Sequence, residues 1–197
     1  MGSMQKMLMA ALLAALAVPA FAQSAPTGED IRDRKENQQD RIANGVGSGQ
    51  LTAGETTRLE KKETSVNQEE RDMRKLDNGH LTAKDKATLN QQQNQLSRQI
   101  YRDKHNSGAQ KTNPETEVGR RRENQQDRIA QGIRSGQLTA RETAHLEGRE
   151  RAVNHEIARD RAANGGKLTA GERAQVNRQQ NRTSRAIYRD KHNAPKQ

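Results

Sequence analysis

The chain contains no cysteine and no tryptophan, and only one phenylalanine, two tyrosines and four prolines among 197 residues. Without cysteine there is no disulfide framework, no lipid-attachment cysteine and no thiol nucleophile, so stability has to come from packing or from a partner. Beyond residue 22 the aromatics are Tyr101 and Tyr188, too few to build a stacking platform for bases. Large aliphatic and methionine side chains number 22 between residues 23 and 197. Their share is below the ~20% level of large apolar residues that marks chains with little to bury. So thin a core leaves homo-oligomerisation, or folding on a partner, as a further source of stability. It is also expected to leave ionisable groups hydrated, with no paired carboxylates in an apolar pocket. Enzyme signatures are missing as well: there is no G-x-S-x-G, no phosphate-cradling P-loop and no H-E-x-x-H. The five histidines, His80, His105, His145, His155 and His192, never fall at ligand spacing and are expected to face solvent. The expectation is a protein that is not an enzyme and has no cofactor.

What is present begins with an address. Met1 to Ser3 reads as a cloning scar, and residues 4–22 read as a secretory signal peptide. That segment has a basic Lys6, an apolar run from Met7 to Val18, and Pro19-Ala20-Phe21-Ala22 as the cleavage site. Cleavage after Ala22 predicts a periplasmic or secreted product with a flexible start at 23–29 and no transmembrane segment. Removing Lys6 lowers the formal charge from +10 to +9. That balance favours an anionic polymer or an acidic protein client in the cell envelope, and export disfavours cytosolic nucleic acid as a partner.

The rest of the chain is written twice. ENQQDRIA at Glu36 to Ala43 returns at Glu123 to Ala130, and IYRDKHN at Ile100 to Asn106 returns at Ile187 to Asn193. Every landmark is displaced by 87 residues, and 43 of 77 positions from Asp30–Asn106 recur in Glu117–Asn193. The organisation expected is a first helical repeat over 30–106, a polar linker over 107–114, a second repeat over 115–193 and a tail over 194–197. Apolar residues fall at helix-face spacings in three stretches of each copy. In the first these are Ile42 and Val46, then Leu59, Val66, Met73 and Leu76, then Leu89, Leu96 and Ile100. Nothing alternates as a strand does, so the fold class is all-α, with six helices, three per repeat.

G-x-L-T-x-x-[ED] appears four times and marks where these helices turn. Read locally, it is a corner: Thr52, Thr82, Thr139 and Thr169 cap the next helix, and the acid three residues on returns a bond to the threonine amide. Gly49 suits the close of the preceding helix. Counted backwards from the acid, the same motif is the second half of a cation loop. Asn44 to Glu55 places Gly49 sixth, Leu51 eighth and Glu55 twelfth, and so resembles the loops of calmodulin-like EF-hand proteins. The resemblance implies a helix-loop-helix fold and calcium held by Asn44, Ser48, Gln50, Thr52 and Glu55, with Ser135, Thr139 and Glu142 in the second copy. The first and third positions depart from that pattern, with Val46 third here and Arg74 and Arg161 first in two other loops. L-T-x-x-[ED] is also similar to the L-T-x-x-Q repeats of small periplasmic helical chaperones, which implies a thin helical cradle that shields unfolded clients.

IYRDKHN gathers Arg102, Lys104 and His105, and again Arg189, Lys191 and His192, as candidate holders of phosphate or carboxylate; Arg120, Arg121 and Arg122 form a further basic run. The plainer account of the first two sets is a basic helix end complementing the macrodipole.

Overall fold

Each G-x-L-T motif starts a helix. The computed structural model describes residues 28–109 and 115–193; the expected scar, signal segment and tail lie outside them, as do residues 23–27 of the expected flexible start and 110–114 of the expected linker. Six helices follow in order: α1 (Gly28–Gly47), α2 (Ala53–Leu76), α3 (Ala83–Lys104), α4 (Glu117–Arg134), α5 (Ala140–Ala163) and α6 (Ala170–His192). There is no strand among the described residues. Gly28 and Glu29 already belong to α1, so the first repeat begins slightly earlier than its sequence pattern suggests.

The corners are built by capping boxes. Thr52, Thr82, Thr139 and Thr169 each accept the amide of the third helical residue, whose carboxylate accepts the threonine amide in return. Such a cap is worth about 1 kcal/mol. Gly49 closes the preceding turn with a φ of +70°, a conformation that costs glycine little. Two residues later Leu51 folds back onto Gly45, and its amide donates to the Gly45 carbonyl at 2.9 Å. A Cβ on Gly45 would lie 2.6 Å from the Leu51 side chain, and Gly132 stands in the same relation to Leu138. Glycine at these two positions is therefore what lets a fully buried leucine close each corner.

The two repeats do not build separate cores. α2 packs most extensively on α5, and α1 on α4; within each repeat the third helix leans on the other two. The central cluster draws Ile42, Leu51, Leu59 and Ile100 from the first repeat and Ile129, Leu138, Leu146 and Ile187 from the second. Gly54 of α2 lies against Arg151 of α5, while Thr64, the equivalent of Arg151, shares a groove with Arg141, the equivalent of Gly54. α2 and α5 therefore run antiparallel, and exchanging the copies preserves their contacts: a pseudo-twofold arrangement in one chain. Each repeat keeps a smaller outer cluster, Ile31, Leu81 and Leu89 in one and Val118, Val153, Ile157 and Val176 in the other. Leu76 is a correction to the predicted stripe: at the last residue of α2 it is 84% exposed, because the helix has run past the core.

The polar runs shared by the copies turn inward. In ENQQDRIA, Gln38 donates to the Gln93 carbonyl at 2.7 Å and Gln39 to Glu60 at 3.2 Å; Gln125 and Gln126 do the same to Gln180 and Glu147. In IYRDKHN the closing asparagine ties the third helix to the first corner. Asn106 donates to Glu55, and Asn193 to Glu142, both at 2.6 Å. A fold short of aliphatics fills its interior with glutamine and glutamate; Gln38, Gln39, Gln125 and Gln126 each donate through the amide nitrogen, while their buried oxygens accept no hydrogen bond among the described residues.

Candidate anion-binding surface

The loop residues that suggested a cation site are engaged elsewhere. Glu55 Oε2 accepts from the Thr52 amide and hydroxyl, and Oε1 accepts from Asn106. Glu142 repeats this with Thr139 and Asn193. Asn44 Oδ1 accepts from Arg134 at 2.9 Å, and the hydroxyls of Ser48 and Ser135 turn to Gln50 and Gln137 in their own turns. Although Glu55 is buried and Glu142 half-buried, the bonds they accept hold both below the usual carboxylate range. No three His, Cys, Asp or Glu side chains converge as a cation cage among the described residues.

The basic runs do not converge either. Arg102 bonds Gln99, Lys104 is half-buried, and His105 stacks on Tyr101 with ring centres 4.1 Å apart. Arg189 pairs with Asp190, Lys191 donates to Gln131, and His192 stacks on Tyr188. Arg120 reaches the Glu115 carbonyl, Arg121 reaches Glu117 and Asn181, and Arg122 turns inward beside Glu150. All five histidines face solvent, as expected.

A set of cations that shares only Arg189 with the predicted runs does meet on one surface. Arg128, Arg149, Arg182, Arg185 and Arg189 line one groove of about 690 Å³ on the second repeat, with Ser184 and Tyr188. α4 supplies Arg128, fixed by the Ser184 hydroxyl at 2.6 Å; α5 supplies Arg149, whose Nε is buried without a hydrogen bond among the described residues; α6 supplies the others. Arg182 and Arg185 make no hydrogen bond or ion pair with a described residue. The spacing signal was available on α6: positions 182, 185 and 189 lie three and four apart, one helix face.

Sequence also bears on the imbalance around this groove. Residues 30–106 hold 15 basic and 13 acidic side chains, net +2, whereas 117–193 hold 17 and 10, net +7. The cations differ in kind: eight arginines and seven lysines in the first copy, fifteen and two in the second. Guanidinium groups present a planar fork that matches phosphate and carboxylate oxygens.

Four carboxylates missed by the sequence pattern lie inside. Glu60 and Glu63 of α2 and Glu147 and Glu150 of α5 are each at most 1% exposed, which overturns the expectation of hydrated acids. Burial raises all of them, Glu60 well above its ordinary value, Glu63 to about 7, Glu147 to about 8 and Glu150 to about 7. Glu63 and Glu147 add their charge to the shift of Glu60, and Glu150 adds to that of Glu147. Lys35 opposes the rise at Glu63, as Arg122 does at Glu150. The signal that marks them is identity at core spacing. Thr56, Leu59, Glu60, Glu63, Val66 and Asn67 recur unchanged 87 residues on.

Comparison with protein-family models, with curated proteins and with solved structures found no match.

Proposed function

We propose that this is a non-catalytic, exported protein that binds an anionic polymer or an acidic protein of the cell envelope through the arginine groove of its second repeat. The observation that supports it is that groove, in which five guanidiniums meet and, among the described residues, only Arg189 has an ion-pair partner. An equivalent face of the first repeat carries Arg41, Lys62, Arg98 and Arg102, with Gln95 in place of Arg182. Two such faces on a pair of repeats that share one core favour a polymer long enough to reach both. Shielding of unfolded clients has less support: the exposed large apolar side chains among the described residues are Leu76, Tyr101 and Tyr188. No described helix is long and apolar enough to cross a membrane. Calcium binding is the weaker alternative, since the capping boxes and Asn106 or Asn193 already use the oxygens of Glu55 and Glu142.

The test is binding of the full chain to long-chain polyphosphate over a salt series. Five phosphate contacts predict a log–log slope of magnitude about 4. Arg182→Gln, which installs the residue of the first repeat, should lower affinity several-fold and reduce that slope by about one. Salt-independent binding, or none at low salt, would refute the proposal.

A further inference from the structure

A second basic site lies where the repeats meet. The start of α2 (Thr52, Gly54 and Arg58) faces the second half of α5 (Arg151, His155 and Arg161) across a cleft of about 530 Å³, with Arg122 of α4 at its wall. Arg58 and Arg151 lean over the same glycine: the position of a Cβ on Gly54 is 3.8 Å from Nη1 of Arg58 and 3.6 Å from Nε of Arg151. Neither guanidinium makes a hydrogen bond or ion pair with a described residue. Arg161 and Arg122 are close enough for each to oppose the other's charge, and Arg122 Nε is buried without a hydrogen bond. Like charges gathered this closely repel unless something anionic sits between them.

The acids nearby answer part of that charge: Glu55, its oxygens held by Thr52 and Asn106, acts on Arg58, and Glu123 and Glu150 act on Arg122, against four guanidiniums in all. Glu150, the chief counter-charge of Arg122, is itself pushed up to about 7 and so is only partly ionised at neutral pH. The pseudo-symmetric cleft shows what a quenched version contains. There the equivalents of Arg151, His155 and Ile157 are Thr64, Gln68 and Glu70, and Glu70 binds Arg74, the equivalent of Arg161, at 2.8 Å. Ile157 instead enters the outer core, which leaves Arg161 without that partner.

We propose that the cleft between the start of α2 and the second half of α5 is a binding site for a phosphate-class dianion, gripped by Arg58, Arg122, Arg151 and Arg161. Four guanidinium forks suit a group with two anionic centres, such as a diphosphate or a phosphorylated sugar, whether free or carried as a lipid headgroup. The site is separate from the α6 groove and does not depend on the polymer-binding proposal.

The test uses the full chain with inorganic pyrophosphate, titrated calorimetrically at fixed ionic strength, and with vesicles containing cardiolipin, whose headgroup carries two phosphates, in a sedimentation assay. The variant Arg151→Thr/His155→Gln carries the residues of the twin cleft, and its helicity is checked by circular dichroism. Saturable pyrophosphate binding that weakens at least ten-fold in this variant, but persists in Arg182→Gln, supports a free phosphate ligand. The same loss seen on vesicles, without pyrophosphate binding, supports a headgroup. No saturable binding to either probe, or binding that survives the double variant, overturns the proposal.

Discussion

Glu70 and Ile157 occupy equivalent places on α2 and α5, and so do Met73 and Asp160 one turn later. In the first repeat the acid comes first and binds Arg74, while Met73 packs on the outer cluster. In the second the aliphatic comes first and is buried, while Asp160 binds Arg159 at 2.9 Å. Each copy thus keeps one apolar and one acidic residue at a pair of positions three apart on the same helix face. Reversing their order moves the apolar contact by about one turn and leaves the fold unchanged. It does not leave the charge unchanged: Arg74 is paired and Arg161 is not. A duplicated scaffold can therefore hold its packing constant while one copy acquires an open cationic surface.

The largest effect should come from breaking the core that the copies share. Leu59→Ala empties a fully buried position in the central cluster and should cost roughly 2–5 kcal/mol. Because that cluster belongs to both repeats, denaturant unfolding followed by circular dichroism should remain a single transition shifted to lower denaturant. Two separated transitions would mean that the repeats fold independently.

The next comparison is between the inner carboxylates and the corner ones. The fold raises Glu60, Glu63, Glu147 and Glu150, so it binds protons that the unfolded chain releases. Their contribution is fully present below the ordinary value of 4.5 and is lost as pH rises through about 7 to 8. Glu55 and Glu142 act in the opposite sense: their folded values are lowered, so their contribution is lost as pH falls below the ordinary range. Stability should therefore peak in mildly acidic solution and decline towards pH 8. Glu147→Gln removes the buried charge and keeps the shape; at pH 8 it should raise stability by roughly 1–3 kcal/mol, with little change at pH 4. Melting temperatures across that range, for the variant and the parent, check both signs.

Smaller still is the contrast between corners of the same motif. Thr52→Ala should cost about 1 kcal/mol. It loosens a buried carboxylate that also holds Asn106 at the end of α3. Thr82→Ala should cost less, because the Asp85 carboxylate that returns the bond to Thr82 holds no asparagine at the end of α3. Equal losses in thermal unfolding would show that the asparagine link adds nothing. The smallest expected effect is zero: millimolar calcium should leave the melting temperature unchanged, and a rise would revive the cation-loop reading of Glu55.

Much of the fold was legible in advance, for reasons local to the chain. A threonine followed three residues on by an acid satisfies helix-end amides wherever it occurs, so the four corners, and with them six helices, could be placed from residue types alone. The duplication is likewise a property of the string. The pairing of the copies was not legible, because the apolar stripes of α2 and α5 are too narrow to say which faces they meet. Nor was the site: Arg120, Arg121 and Arg122 are adjacent in sequence and point to three different partners, whereas Arg58, Arg122 and Arg151 are far apart and converge. Burial of Glu60 and Glu147 was hidden for the same reason, since a glutamate at core spacing reads as solvated until another helix covers it. Local hydrogen-bond chemistry is short-ranged and can be read from the chain; which charges are desolvated, and which are brought together, depends on the crossing of α2 with α5, and only the tertiary structure decides that.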